Sequence, residues 1–585
     1  MLTHNSNEFK LSRTLDMILN HSKNNYSLKK VLKRGMNNIE NTYKAFNSIA
    51  TNKGSGTEGV DNKTIDGIKL EMIKKYHKEY VNNQYNPQPV KKVLIPKDKN
   101  KTRPLGIPTI KDRIIQKAME QLLTLYFENI FSEWSFGFRS KKSCHDAVKR
   151  VKQRFKGIDY IIKIDIKGYF ETINHDIHHD ILNKMLNKYI RKAKTLKTIN
   201  QWLKAGIMEN GIKYESLSGT PQGGIISPLL SNIYLHYIDK KMEELIRNGK
   251  PIMKANPKYW KAYTKKQHNN LSIDSEINLN PNPRIEYIRY ADDFIIGIKG
   301  EHHEAERIKT QVLKWLEQDL KLVVNRDKSK IVKATKGTRF LSYMVKVNPT
   351  NKTRKKKTTK NSLNGQVQIQ IPKDTTRDYG KEYGWTKNGK VKHDETLASR
   401  EALEIIRTYK SITLGIIRYF CLGNNLAQLT HLYYLAEYSC LKTLARKWKT
   451  SIAKVRRKLR NGKTWGIQYN LKNKTKVDSW DKLDWEKIKR MRKTKGNPDV
   501  IINRYLYQGR TTLTSRLKAE RCEVCQTENI PLEIRHKKTV RNSNWQSILN
   551  KQTIALCRNC HRKRTNQQIN VINQNKKKRM IKIHS

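Results

Sequence analysis

Acidic side chains are scarce in this chain: 52 Asp and Glu stand against 119 Lys and Arg in 585 residues, a formal charge of +67. Folded surfaces so charged repel one another unless a polyanion neutralises them, and nucleic acid is the usual one. Long apolar runs are also missing. No stretch approaches the roughly 18 residues of a membrane span, and residues 1–25 lack the apolar centre of a secretory signal. With Glu8, Asp16 and little Arg, the N-terminus does not fit an organelle import sequence either. These absences argue against a secreted or membrane protein and for a soluble intracellular one. Heavy use of Lys, Asn and Ile suggests an AT-rich coding sequence, as in a low-GC bacterial cytoplasm or in an organelle, mitochondrion or plastid, that makes the protein itself. Hydrophobic residues reach only 37%, yet 10 Trp, 27 Tyr and 11 Phe are too many aromatics for a disordered polycation. At about 150 residues per domain the length suggests roughly four domains.

Cysteine is sparse and unevenly placed. Cys144, Cys421 and Cys440 stand alone in helix-like contexts and read as buried small hydrophobes. The other four form two pairs, Cys522-x-x-Cys525 and Cys557-x-x-Cys560, with 31 residues between them. Without a secretory signal that spacing reads as a tetrahedral Cys₄ structural zinc site rather than disulfides.

Along the chain, residues 1–75 are Asn- and Lys-rich with helical spacing and end in a turn-prone stretch, Gly54 to Asp61. From there to Val347 strands and helices alternate. Val90 to Pro96 reads as a strand before a charged turn. Ile114, Ala118, Leu122, Tyr126 and Ile130 recur at helical spacing, and Ile177, Ile181 and Met185 mark another helix. Asn348 to Ser399 has few apolar residues and six basic residues among the nine from Lys352 to Lys360, which suggests a connector. Helical spacing resumes from Glu401 to Arg460. Its end is cationic: ten Lys and Arg and no acid lie between Lys442 and Lys463. A solvated helix face would explain such a run, but repulsion among like charges favours a phosphate-binding surface. Further basic stretches run from Lys487 to Lys495 and from Lys576 to Arg579.

Two acid-bearing strands carry the chemistry. In Arg284 to Ile298, apolar half-strands flank a tight turn with adjacent carboxylates, Asp292 and Asp293. Alone, that is a polar turn. A second apolar run, Ile161 to Ile164, also delivers an acid, Asp165. If the strands pair, Asp165 and Asp292 converge, and hard cations such as Mg²⁺ use such carboxylates in two-metal phosphoryl transfer.

At this point a family resemblance becomes specific. In order come Arg103-Pro-Leu-Gly-Ile-Pro108, Phe136-Gly-Phe-Arg139, Asp165 with Phe170, Ser218-Gly-Thr-Pro-Gln222-Gly-Gly-Ile-Ile-Ser227, Tyr290-Ala-Asp-Asp293 and Phe340-Leu-Ser-Tyr343. The series resembles the reverse transcriptases of group II introns, and Glu437 to Lys449 resembles their maturase region, domain X. The resemblance implies an α+β multidomain fold: right-hand polymerase fingers and palm, an α-helical thumb or domain X, and a small zinc-stapled HNH-like ββα domain. The boundaries it suggests are 1–75, an RNA-binding extension; 76–347, fingers and palm; 348–399, a basic connector or insertion; 400–470, thumb and domain X; 471–515, a basic DNA-binding region; 516–566, the HNH-like domain; and 567–585, a basic tail.

The same resemblance implies roles. Asp165 and Asp292 would hold two Mg²⁺, with Asp293 completing the catalytic triad. Lys97 and Arg103 would grip the triphosphate of a deoxynucleoside triphosphate, Phe170 would exclude a ribose 2′-hydroxyl, and Gln222 would line the nucleotide pocket. Lys328 matches a lysine that protonates the leaving pyrophosphate, although a plain surface lysine fits equally. Arg446, Lys447, Lys449, Arg456 and Arg457, in a thumb helix with ten cations, would bind intron RNA. Ser342 stands where the family's turn has glycine.

Glu533-Ile-Arg535-His536 between the Cys pairs and His561 after the last resemble an HNH endonuclease, with His536 as general base and His561 as ligand. Arg535 replaces a usual histidine, and Thr565 and Asn566 stand where another is usual, which would weaken a divalent ion site. A zinc-stapled DNA-contact module with reduced cleavage is therefore expected. The implied function is a polymerase copying intron RNA into DNA on a DNA target or primer, and a maturase that promotes splicing, acting as a monomer or a dimer with RNA. A splicing-only maturase and a stand-alone retroelement reverse transcriptase are the alternatives.

Overall fold

The computed structural model describes residues 2–567 except 25, 51, 53, 66–67, 99–100, 168–174, 192–193, 210–211, 215–222, 250–252, 256, 258–275, 279–281, 350–363, 463, 472–473, 482, 493–520, 529, 531 and 537–552. Among the described residues no helix is long and apolar enough to cross a membrane.

The chain begins with helices α1 (Leu2–Lys23), α2 (Lys29–Met36), α3 (Ile39–Ala50) and α4 (Leu70–Val81). The expected boundary at residue 75 falls inside α4, so it does not separate two folding units. Nor does the core divide there: Leu32, Met36 and Ala45 share one buried cluster with Ala118, Leu122 and Tyr126 of α5 (Ile110–Phe127). Thr109 caps α5 by accepting from the Asp112 backbone N–H, which fixes where the helix starts.

Among the described residues the strands that follow are, in order, β1 (Val90–Asp98), β2 (Lys101–Ile107), β3 (Tyr160–Ile164), β4 (Ile207–Glu209), β5 (Ile212–Tyr214), β6 (Met253–Ala255), β7 (Glu276–Asn278), β8 (Arg284–Tyr290), β9 (Asp293–Lys299) and β10 (Lys330–Lys333). One sheet has the order β2-β1-β4-β5, and β6 pairs with β7. The central sheet has the order β10-β3-β9-β8, with every neighbouring pair antiparallel. Five consecutive residues are buried in both β8 and β9, which requires cover on both faces. Alternation sends Tyr287, Phe294 and Ile296 into one core and Ile288 and Ile295 into another. Helices α6 (Cys144–Arg154), α7 (His175–Ile190), α8 (Lys194–Leu203), α9 (Ser227–Asn248) and α10 (His302–Lys314) pack in this half.

The stretch 348–399, expected as a connector, is integrated into the fold from residue 364 onward. β11 (Thr338–Phe340), β12 (Tyr343–Val347) and β13 (Val367–Gln370) form one antiparallel sheet. Val367, Ile369 and Ile371 alternate into the second core, and Trp385 is 1% exposed there. Its apolar residues are few but placed at strand period, so low density hid a strand. A short hairpin, β14 (Thr386–Lys387) and β15 (Lys390–Val391), leads to the helices Ala402–Phe420, Gln428–Lys447 and Ile452–Lys458.

The expected boundary at 470 cuts a hairpin. β16 (Arg460–Asn461), β17 (Thr464–Leu471) and β18 (Lys474–Trp480) form one sheet, with Trp465 stacked on Trp480 at 5.4 Å. Asp478 of β18 binds Arg407 and Lys410 at 2.8 and 2.6 Å, tying the hairpin to the Ala402–Phe420 helix. The described residues among 471–492 therefore belong with these helices, and the rest of the expected DNA-binding region lies outside the described residues. At the end, β19 (Leu532–His536) and β20 (Thr553–Cys557) pair antiparallel before a helix at 558–567. Leu532, Ile554 and Leu556 share a buried cluster with Phe46, Ile49 and Ile73 of the N-terminal helices.

Candidate active site and nucleic-acid interface

The β8–β9 hairpin closes with Tyr290 opposite Asp293, leaving Ala291 and Asp292 as its turn. Ala291 has φ 56°, a left-handed conformation that costs about 1–2 kcal/mol for a residue with a Cβ. The neighbourhood imposes it. Gly137 lies against the turn, and a Cβ there would come within 2.3 Å of the Ala291 nitrogen. The β3–β9 register ends at Ile164 opposite Phe294, so Asp165, the next residue, comes beside Asp293. The Asp165 backbone is fastened on both sides: its N–H donates to Ser329 Oγ at 3.1 Å, and its carbonyl accepts from Asn325 N at 2.8 Å.

Asp292 is exposed, whereas Asp165 and Asp293 are half-buried. Burial raises the Asp293 carboxyl above its ordinary pKa, opposed by Lys163, whose Nζ lies 3.5 Å away, and by the Leu341 backbone; Asp292 adds to the rise. The donors are hard carboxylate oxygens at a solvent-facing sheet end, which suits Mg²⁺.

Sequence reasoning missed what holds this turn. Arg289 and Asp239 of α9 are both fully buried and meet at 2.6 Å. Arg289 Nε also donates to Asp239 at 2.8 Å, Nη1 to Asn232 Oδ1 and the Ala291 carbonyl, and Nη2 to Ser135 Oγ. Burial alone would push the Asp239 carboxyl up, but Arg289 reverses this and holds it well below the carboxylate range. A guanidinium that bonds the carbonyl next to Asp292 fixes the turn from behind. An arginine between Ile288 and Tyr290 in an apolar strand was the available signal.

A second tight turn touches the acids. β11 and β12 are joined by Leu341 and Ser342, with φ 46° and 61°. Positive φ at both central positions is the type I′ hairpin geometry that favours Asn-Gly, so Ser342 is strained where glycine was expected. The turn is tied down by Tyr419, whose hydroxyl donates to the Leu341 carbonyl at 2.9 Å.

Of the residues assigned to the nucleotide, Arg103 pairs with Ile95 in the β1–β2 hairpin, and Lys97 sits at the register shift between Pro96 and Asp98. Their side chains, and Phe170 and Gln222 altogether, lie outside the described residues. Lys328 is exposed in the turn after Asn325. Gly223 has φ 129°, and a Cβ would meet the Gly106 carbonyl at 2.2 Å, so its close approach is to β2.

The cationic run is not one helix. Lys449, at φ 48°, ends the Gln428–Lys447 helix, a new helix begins at Ile452, and Arg460 enters β16. Arg446, Lys449, Arg456 and Arg457 are exposed, and Lys447 is half-buried. Arg456 pairs with Glu437 at 3.2 Å.

The four C-terminal cysteines converge, with their sulfurs all within 4.8 Å of one another. Backbone and hydroxyl donors point at three of them: Cys557 N to Cys522 Sγ at 3.3 Å, Cys560 N to Cys557 Sγ at 3.4 Å and Thr527 Oγ1 to Cys525 Sγ at 3.2 Å. Such donors stabilise thiolates, so the set fits a soft tetrahedral ion. Cys144, Cys421 and Cys440 are buried and apart from it. His561 Nδ1 lies 2.6 Å from Glu533 Oε2, while Glu533 Oε1 pairs with Lys69 of the N-terminal region at 3.0 Å. His536 ends β19 opposite Thr553, and its side chain lies outside the described residues.

Two protein-family models match: reverse transcriptase (RNA-dependent DNA polymerase) over residues 95–345 and type II intron maturase over residues 369–505. The central sheet with its acid turn and the helices after it are thus those of a reverse transcriptase joined to a maturase. The chain is 33% identical over 567 residues to the group II intron-encoded protein LtrA of Lactococcus lactis, covering 88% of this chain and 92% of that one. It is 28% identical over 564 residues to the putative COX1/OXI3 intron 2 protein of Saccharomyces cerevisiae, covering 88% of this chain and 64% of that one. The chain belongs to the family of group II intron-encoded reverse transcriptases and maturases.

Proposed function

We propose that Asp165, Asp292 and Asp293 are the catalytic carboxylates of an RNA-directed DNA polymerase that copies intron RNA into DNA, and that the helices after residue 400 bind the same RNA to promote its splicing. The convergence of β3 and the β8–β9 turn carries this reading. Asp165 and Asp292 would hold two Mg²⁺, which when bound activate the primer 3′-hydroxyl and neutralise charge on the phosphates. Lys163, 3.5 Å from Asp293, offsets part of the burial that favours its protonated form. The β1–β2 hairpin carries Lys97 and Arg103 as the fingers, where a cationic fork suits triphosphate oxygens. Phe170 would exclude a 2′-hydroxyl, Gln222 would line the nucleotide pocket, and Lys328 would give a proton to pyrophosphate.

The Cys522–Cys560 cluster would hold a structural zinc, and the β19–β20 hairpin with its following helix has the ββα order of an HNH module. Its nuclease set is depleted. Arg535 and Thr565 replace expected histidines, and Lys69 already supplies a cation to Glu533. His536 as base and His561 as ligand would therefore support weak cleavage at most. Bacterial and mitochondrial relatives support a bacterial or organellar setting.

Primer extension on an RNA template tests the polymerase. Asp292→Ala should abolish it while leaving RNA binding in place; extension at the normal rate would remove the carboxylate assignment. Mg²⁺-dependent cleavage of target DNA that disappears in His536→Ala would restore full nuclease status.

A further inference from the structure

The Gln428–Lys447 helix buries one face against its neighbours through Leu429, Leu432, Ala436, Ser439, Cys440 and Leu444. Its outer face carries aromatics that this packing does not require. His431, Tyr434 and Tyr438 fall at i, i+3 and i+7, one stripe along the helix. Tyr434 is 45% exposed, and His431 is exposed too. The rings are ordered against one another. His431 and Tyr434 are stacked with centroids 6.3 Å apart and planes 16° apart, and Tyr438, half-buried, follows with its centroid 4.6 Å from that of Tyr434 and its plane tilted by 40°. The Arg456 guanidinium lies over the Tyr438 ring at 5.2 Å, extending the row onto the next helix. Further along the same face Leu441 and Ala445 are buried, so the stripe ends where the Ile452–Lys458 helix packs.

Charge identifies the occupant. Glu437 is the sole acid between Gln428 and Lys458, and it is engaged by Arg456 at 3.2 Å and by Trp465 Nε1 at 2.9 Å. The surface therefore offers aromatic rings beside an excess of cations, with Lys454 and Arg457 exposed on the next helix. An intact duplex would satisfy the cations but hides its base faces inside the stack. An unpaired nucleotide satisfies both, with phosphate on the cations and base on the rings.

We propose that His431, Tyr434 and Tyr438, with Arg456, form a stacking platform for an unpaired nucleotide of the bound RNA. The inference rests on the maturase reading and adds to it the form of RNA this face selects. Base-on-aromatic stacking contributes roughly 5- to 150-fold in affinity per base.

The full chain is first loaded with an unlabelled RNA–DNA duplex to fill the polymerase groove. Binding is then followed by fluorescence anisotropy with a labelled single-stranded RNA of mixed sequence, and with the same RNA annealed to its complement. The variant Tyr434→Ala/Tyr438→Ala should bind the single strand roughly tenfold or more weaker, with duplex affinity and the single-strand salt slope unchanged. Tyr434→Phe/Tyr438→Phe should bind as the parent does, because only the ring is needed. Wild-type single-strand affinity in the Ala variant, equal losses on both RNAs, or failure of Phe to rescue would each overturn the platform. The maturase reading fails separately, if the parent protein does not prefer a group II intron transcript to another structured RNA.

Discussion

The acid turn at Asp292 and the cysteine cluster at Cys522 gather their donor groups by opposite means. Around the turn, the frame is internal to the protein: a buried guanidinium, a buried carboxylate and a glycine contact hold a strained hairpin in place before any ion arrives. Cys522 and Cys525 precede a two-stranded hairpin, Cys557 ends its second strand and Cys560 lies in the helix after it; the hairpin borrows its core from the N-terminal helices, and Cys525 is exposed. Carboxylates repel, so a site made of them needs a scaffold stable enough to hold them together. Thiolates that share one soft ion are drawn in by it, and a small module suffices. A zinc held by the four cysteines would make the second site depend on its ligand, whereas the protein itself preorganises the first.

The largest effect should come from breaking that contrast at the cysteines. A zinc-selective chelator should open the 522–567 module, since structural zinc contributes roughly 10–16 kcal/mol in small zinc-binding peptides. Limited proteolysis would then cut inside the module, and an unchanged pattern would mean the cysteines need no ion. Next comes the frame of the turn. Asp239→Asn should cost about 3–5 kcal/mol, because Arg289 is left buried without its counter-charge. The sign of its pH dependence is fixed: Arg289 depresses the folded pKa of Asp239, so the stabilisation is full above the unfolded value of about 3.9 and fades as pH falls below it. Denaturant melts of the parent and variant should therefore converge in acid; a constant gap would place the cost elsewhere.

A smaller change tests how the cations outside both sites act. Replacing Arg446, Lys449, Arg456 and Arg457 by Ala should flatten the salt dependence of RNA binding by about 0.7–0.9 in log–log slope for each lost phosphate contact. An unaltered slope would make them a solvated face. The smallest effect is at the second turn: Ser342→Gly should stabilise by about 1 kcal/mol, read by thermal unfolding, because glycine takes φ 61° without a Cβ penalty.

The acid turn was legible because strand period, turn and carboxylates are contiguous, and β3 because its apolar run ends on Asp165. The C-x-x-C pairs were legible because metal-ligand spacing is local. Arg289–Asp239 was not, since its partners lie fifty residues apart on a strand and a helix. β13 escaped because Val367, Ile369 and Ile371 alternate with glutamines just after a cationic run, where apolar density is a poor guide and period a better one. The break at Lys449 was invisible for a related reason: Lys and Arg favour helices, and nothing in their spacing marks a left-handed residue.

The buried cluster that joins Phe46, Ile49 and Ile73 to Leu532, Ile554 and Leu556 sets an order of events during synthesis. The ribosome releases α3 and α4 several hundred residues before the strands that cover this apolar face. A nascent chain therefore carries an open sticky surface until β19 and β20 emerge, and a message cut short before codon 522 leaves it open for good. Synthesis of one distant hairpin is thereby felt at the helices made long before it.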